Sequence, residues 1–144
     1  MTTPTRRTRR RPGDCWGFWR KLSKDAHANA RLRLRVLRAA GRDRACWRRA
    51  FAAGGEGFLG WLNLCCWVYE PRADVRHLPL VTWPVQDEAG REVWQAVDEG
   101  HDVLIDKSRD MGATWLCLYV LLWFWLFVPE TPLLVASRKE AVRW

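Results

Sequence analysis

After an arginine-rich start, apolar positions recur at helical spacing through the first third of the chain. Leu32, Val36 and Ala39 or Ala40, then Cys46, Trp47, Ala50 and Phe51, fall on one helical face. Gly41 is placed to divide this run into two helices. The stretch Arg31-Leu32-Arg33-Leu34-Arg35-Val36 also alternates as a strand does. Gly54, Gly55 and Gly57 punctuate the chain before an aromatic-rich segment, residues 58–69, that reads as a helix or as an extended piece packed on the core. Pro71, Pro79 and Pro84 mark a loop region. A helix is expected over residues 87–99, with Ala89, Val93, Trp94 and Val97 on one face and Gly100 as its stop.

Beyond residue 100 the pattern changes to strand, loop, helix, strand. Val103-Leu104-Ile105 is a short apolar strand, residues 107–112 a loop, and residues 113–128 a helix ended by Pro129 and Pro132. Leu133-Leu134-Val135-Ala136 reads as the second strand. Both runs are continuously apolar, as expected of strands covered on both faces. The resulting expectation is an α/β fold: the βαβ start of a mostly parallel sheet, preceded by a basic helical region. Trp115, Trp123, Phe124 and Trp125 are expected to pack in the core.

Composition changes this picture in three ways. Residues 1–53 carry 16 Lys/Arg and 3 Asp/Glu, a net charge of +13, whereas residues 54–144 carry 8 and 13, a net charge of −5. A basic arm of this kind fits contact with a polyanion, or a solvated tail. The five cysteines, Cys15, Cys46, Cys65, Cys66 and Cys117, lack C-x-x-C spacing, so reduced thiols are the simpler expectation and a zinc site is disfavoured. The longest uncharged apolar stretch, residues 115–128, has 14 residues where a membrane span needs about 18–20. The arginine-rich start lacks a following apolar region, so no secretory signal is read there.

The loop carries the candidate chemistry. Lys107-Ser108-Arg109-Asp110-Met111-Gly112-Ala113-Thr114 resembles the phosphate-binding pattern G-x-x-x-x-G-K-[ST] with its lysine displaced. Ala113 holds the usual lysine position and Lys107 the usual first-glycine position. Gly112 permits close backbone approach, Thr114 supplies a hydroxyl for Mg²⁺, and Lys107 can neutralise phosphate charge by folding back over the loop. Arg109 adds a cation that could act on the transferring phosphoryl group as a cis arginine finger.

The wider context, from about residue 58 to 142, resembles the ATPase domain of the large terminase subunit of tailed bacteriophages. The segment from Phe58 to Trp67 is similar to that family's aromatic, cysteine-containing stretch. Trp83-Pro84-Val85-Gln86 looks like its adenine-reading Q motif, about 20 residues before the loop. Residues 107–114 followed by Trp115 resemble the family's K-S-R-x-M-G-x-[ST]-W loop, in which the lysine does stand first. Ser137-Arg138-Lys139-Glu140 resembles the segment that closes the second strand.

Composition and helical spacing set off a flexible basic arm (1–14) and a basic helical region (15–57), and the resemblance makes residues 58–144 the first part of a P-loop ATPase domain. It implies ATP and Mg²⁺ as cofactors. Gln86 and Trp83 would contact adenine, Lys107, Ser108, Arg109, Gly112, Ala113 and Thr114 the phosphates, and Thr114 the metal. Trp83 could equally pack in the core, and Gln86 could be no more than a cap of the following helix. Expected partners are double-stranded DNA, the portal protein and the small terminase subunit, in the host cytoplasm and without a membrane. The family's later acidic strand end, water-polarising glutamate and nuclease acids are not found by residue 144, which reads as truncation and predicts at best weak ATP binding, without hydrolysis, by this chain alone. Two alternatives remain open: a nucleic-acid-binding module acting through the arginines, and part of another Q-motif motor such as a helicase.

Overall fold

The computed structural model describes residues 22–136. Five helices and one short hairpin follow in order: α1 (Ala26–Ala40), α2 (Arg44–Phe51), α3 (Gly54–Cys65), β1 (Trp67–Tyr69), β2 (His77–Pro79), α4 (Pro84–Glu99) and α5 (Ala113–Phe127).

The first two helices begin with the same device. Asp25 and Asp43 stand at the N-caps, and their carboxylates accept from the backbone N–H groups of Ala28 at 2.8 Å and Cys46 at 3.0 Å. Helix α1 buries Asn29, Leu32, Arg33 and Val36, a stripe at i, i+3, i+4 and i+7. It stops where the sequence places Gly41, and α2 then buries Cys46, Trp47, Ala50 and Phe51.

Helix α3 is buried along its whole length from Gly57 to Leu64, as expected of a helix apolar on all faces. Its approach to α2 depends on Gly57, where a Cβ would lie 2.6 Å from the Phe51 carbonyl oxygen and 2.8 Å from that of Ala50. Helices α1, α2, α4 and α5 pack around it. Phe58, Leu62 and Val120 are fully enclosed, and Trp123 donates its indole N–H to the Phe51 carbonyl at 2.9 Å, tying α5 to α2. Trp94 stacks on Phe124 at 5.7 Å and meets Trp123 edge-on. Of the four aromatic residues expected in this core, Trp123 and Phe124 are buried, whereas Trp115 and Trp125 are exposed.

The expected α/β architecture is overturned. Among the described residues the fold is mainly helical, and its sheet has two antiparallel strands in the register Trp67↔Pro79, Val68↔Leu78 and Tyr69↔His77. Residues 103–105 and 133–136 form no ladder, and Leu104 and Leu134 are 95% and 89% exposed. A continuous apolar run becomes a covered strand only when a sheet receives it. Here the mostly apolar helix α3 occupies the centre instead. Ser137-Arg138-Lys139-Glu140 and the arm at 1–14 lie outside the described residues. No helix among the described residues is long and apolar enough to cross a membrane.

A buried polar network joins α1 to the rest. The Arg33 guanidinium donates to Asn29 Oδ1 at 2.7 Å, to the Cys66 carbonyl at 2.8 Å and to the Leu80 carbonyl at 2.7 Å. Cys66 and Leu80 flank the hairpin, and the Leu80 N–H also donates to the Cys66 carbonyl at 3.0 Å. Asn29 donates to the Asn63 carbonyl at 3.3 Å, and Asn63 Oδ1 accepts from the Thr82 N–H at 3.0 Å. The Thr82 hydroxyl donates to Asp87, whose carboxylate also pairs with Lys24 at 2.7 Å. Replacing Arg33 with alanine leaves Asn29 Oδ1 and the Leu80 carbonyl without this donor and removes one of the two donors to the Cys66 carbonyl. Urea unfolding should show a loss of about 3 kcal/mol or more, against less than about 0.5 kcal/mol for Arg31→Ala on the exposed face of the same helix.

Candidate functional site

The polar network fixes the connector that leads from the hairpin into α4. Pro84 at the first helical position suits the fixed φ of proline, and Trp83 precedes it as the N-cap. Gln86 then acts in two directions. Its Oε1 accepts from the Trp83 N–H at 2.9 Å, capping the helix, and its Nε2 donates to the Met111 carbonyl at 2.9 Å. The second bond ties α4 to the loop that precedes α5.

That loop changes hand twice. Asp110 has φ +61° and Gly112 φ +73°, with no positive φ recorded at Met111 between them. Alternation of this kind directs successive backbone N–H groups toward one side, the geometry that receives anions. The first helical bond of α5 runs from the Leu116 N–H to the Gly112 carbonyl. The N–H groups of Ala113, Thr114 and Trp115 are therefore left without helical acceptors, as at any helix start.

Between the hairpin, the start of α4 and this loop lies a cavity of about 470 Å³. It gathers Trp83, Gln86, Lys107, Gly112, Ala113 and Thr114, six of the eight residues expected at the site. Lys107 also borders a second cavity of about 320 Å³, again beside Ala113 and Thr114. Ser108 and Arg109 are exposed and border neither cavity. Trp83 is 56% exposed and lines the cavity, so it is not a core tryptophan.

Gln86 is the helix cap that the sequence left as one of two options, and it retains further capacity. A glutamine amide has two donors and two acceptor lone pairs. One of each is used, so one N–H and one lone pair remain. Adenine presents a complementary acceptor and donor at N7 and N6.

Several lining residues carry no sequence signal. Tyr69, Glu70 and Arg72 arrive from the hairpin, and Asp110 comes from the loop itself. Trp115, expected in the core, is 40% exposed, lines the cavity and stacks on Tyr119 at 6.0 Å. The Tyr119 hydroxyl donates to the Trp67 carbonyl, joining α5 to the hairpin.

Thiol chemistry is absent from this wall. Cys46 is disulfide-bonded, which departs from the expectation of reduced thiols throughout. Burial pushes Cys65 up to about 11 and raises Cys66 as well, so both are neutral thiols at physiological pH. Among the described residues no group of three His, Cys, Asp or Glu is arranged to hold a metal ion. No family model, curated protein or solved structure matches the chain.

Gly112 and Gly100 offer a controlled comparison. Both have φ near +72°, but a Cβ at Gly112 would lie 2.9 Å from Gln86 Nε2, while one at Gly100 meets nothing within 4 Å. Gly100→Ala should cost about 1–2 kcal/mol from backbone strain alone. Gly112→Ala should cost about 1 kcal/mol more, because it also displaces the Gln86 tether; paired urea titrations read the difference.

Proposed function

We propose that the chain binds Mg²⁺·ATP as part of the motor of a large terminase subunit, the DNA-packaging ATPase that its loop and Q motif resemble. The observation that carries this reading is the single cavity shared by Trp83, Gln86, Lys107, Gly112, Ala113 and Thr114. These residues come from segments about 20 residues apart in sequence, and chance gives no reason for them to share a wall.

Each has a role suited to its chemistry. Trp83 offers an exposed aromatic face for the base, and Gln86 its remaining amide donor and acceptor. The loop and the start of α5 present N–H groups to the phosphates. Lys107 supplies positive charge beside Ala113, from where the usual lysine would extend. Arg109, exposed and away from the cavity, acts in this reading only after the loop moves. Thr114 fits a Mg²⁺ that takes most of its ligands from phosphate oxygens and water. When bound, that ion would neutralise charge on the β- and γ-phosphates.

Hydrolysis needs carboxylates that order the metal and polarise water. The cavity's carboxylates are Glu70, which is engaged by Arg72, and Asp110. Binding rather than turnover is therefore the activity proposed for this chain. DNA, the portal protein and the small subunit are its partners in this reading, within the host cytoplasm.

A second reading is favoured by the exposed arginines of the first two helices. Arg31, Arg35, Arg38, Arg42, Arg44 and Arg49 are exposed, and none forms an ion pair among the described residues. Such a surface fits a nucleic-acid backbone.

Titration calorimetry separates the two. ATP with Mg²⁺ should bind wild type, Lys107→Ala should weaken it about tenfold, and Gln95→Ala, exposed on α4 away from the cavity, should leave it unchanged. An unchanged affinity in Lys107→Ala would sink the relocated-lysine reading. Duplex DNA binding through the arginines should fall steeply with added salt and ignore ATP.

A further inference from the structure

The turn between β1 and β2 brings to the cavity a cation that no motif marks. We propose that Arg72 is a phosphate-binding residue of the nucleotide site, gripping the phosphate chain from the hairpin side while Lys107 holds it from the loop side. This assignment rests on the nucleotide reading and adds a second, independent wall to it.

The geometry prepares Arg72 for that role. Glu70 Oε1 accepts from both the backbone N–H of Arg72, at 3.1 Å, and its Nε, at 3.0 Å. The near edge of the guanidinium is thereby oriented. Its two terminal nitrogens make no hydrogen bond among the described residues, so the fork that best matches phosphate oxygens stays open. The side chain is 75% exposed, and an exposed pair of this kind contributes little on its own. Recruiting the guanidinium to a ligand therefore sacrifices little stability.

The surrounding charges agree. Arg72 is held above the usual arginine range first by its hydrogen bond to Glu70, then by the charges of Glu70 and Asp110. Asp110 and Arg72 border the same cavity as Lys107 and Thr114. Without nucleotide, Asp110 is the nearby anion on the loop side. A phosphate lying against Lys107 and Thr114 would take its place opposite Arg72.

The test uses the full chain and three probes: Mg²⁺·ATP, inorganic tripolyphosphate and adenosine, each titrated calorimetrically. Arg72→Gln should raise the Kd for ATP and tripolyphosphate about tenfold and leave adenosine unchanged, since only the phosphate contact is lost. Arg72→Lys, which keeps the charge without the fork, should recover part of that loss. Asp110→Asn should tighten both phosphate ligands about threefold by removing the competing carboxylate, a direction no folding defect produces. If wild type binds ATP and Lys107→Ala weakens it while Arg72→Gln does not, the hairpin assignment fails and the nucleotide reading stands. Equal weakening of ATP and adenosine by Arg72→Gln would also overturn it, by making Arg72 a structural residue. If wild type binds neither ATP nor tripolyphosphate, both readings fail together.

Discussion

The Arg33 guanidinium is the constraint from which the candidate site follows. Burying an arginine costs several kcal/mol, and only complete hydrogen bonding offsets it. Each of the three Arg33 nitrogens has an acceptor, and these come from separate places: Asn29 on its own helix, Cys66 at the end of α3 and Leu80 after β2. Burial holds its pKa below the usual arginine range, yet the group remains charged at any ordinary pH. Its ring neighbour Trp67, 5.4 Å from the guanidinium carbon, adds a cation–π contact at the first residue of the hairpin. Two three-residue strands are too short to persist alone. Fastening both of their roots to one buried cation gives the hairpin a fixed base.

From that base, position is passed along a chain of polar contacts. Asn63 on α3 holds Thr82, Thr82 holds Asp87, and Asp87 with Lys24 holds the start of α4 against the start of α1. Gln86 then reaches from α4 to the Met111 carbonyl. The apolar core sets where the helices lie, but it does not place the loop: residues 101–110 are exposed throughout. Removing the Gln86 bond would take away the side-chain hydrogen bond that ties the loop to the start of α4.

What was legible in the sequence divides along this line between local and distant causes. The helix boundaries at Gly41 and Gly100 and the buried stripe of Leu32 and Val36 rest on neighbours within a few residues, so the pattern exposed them. The sharing of one cavity by Gln86, Trp83, Lys107, Gly112 and Thr114 was expected from the spacing of two short motifs, not from any local pattern. The sheet was not. Residues 103–105 and 133–136 have the composition of covered strands, but strand formation depends on a partner edge that no local pattern encodes. Arg33 was equally hidden, since Arg31, Arg33 and Arg35 look alike until the carbonyls of Cys66 and Leu80 are brought beside one of them. Arg72 was hidden for the same reason, on a turn whose place against the loop is decided far away at the hairpin root.

The cavity and the arginine-bearing face of α1 and α2 differ in a way that bears on what each can bind. Lys107 and Arg72 line the cavity together with Glu70 and Asp110, so its charged side chains cancel. Attraction for a phosphate chain there cannot come from net charge. In the proposed reading it comes from directed contacts, the N–H groups of a loop that alternates hand and the open guanidinium fork, and from any Mg²⁺ that would travel with a nucleotide. Such short-range contacts are weakly screened. The arginines of α1 and α2 have no carboxylates interleaved with them beyond the caps Asp25 and Asp43. Their attraction is a summed field that reaches a polyanion at a distance and fades with ionic strength. A compact, charge-balanced cavity suits a small ligand recognised by shape, and an uncompensated helical face suits a long one recognised by charge. The chain carries both on one helical core, with Arg33 of the basic helix fixing the hairpin that forms one wall of the cavity.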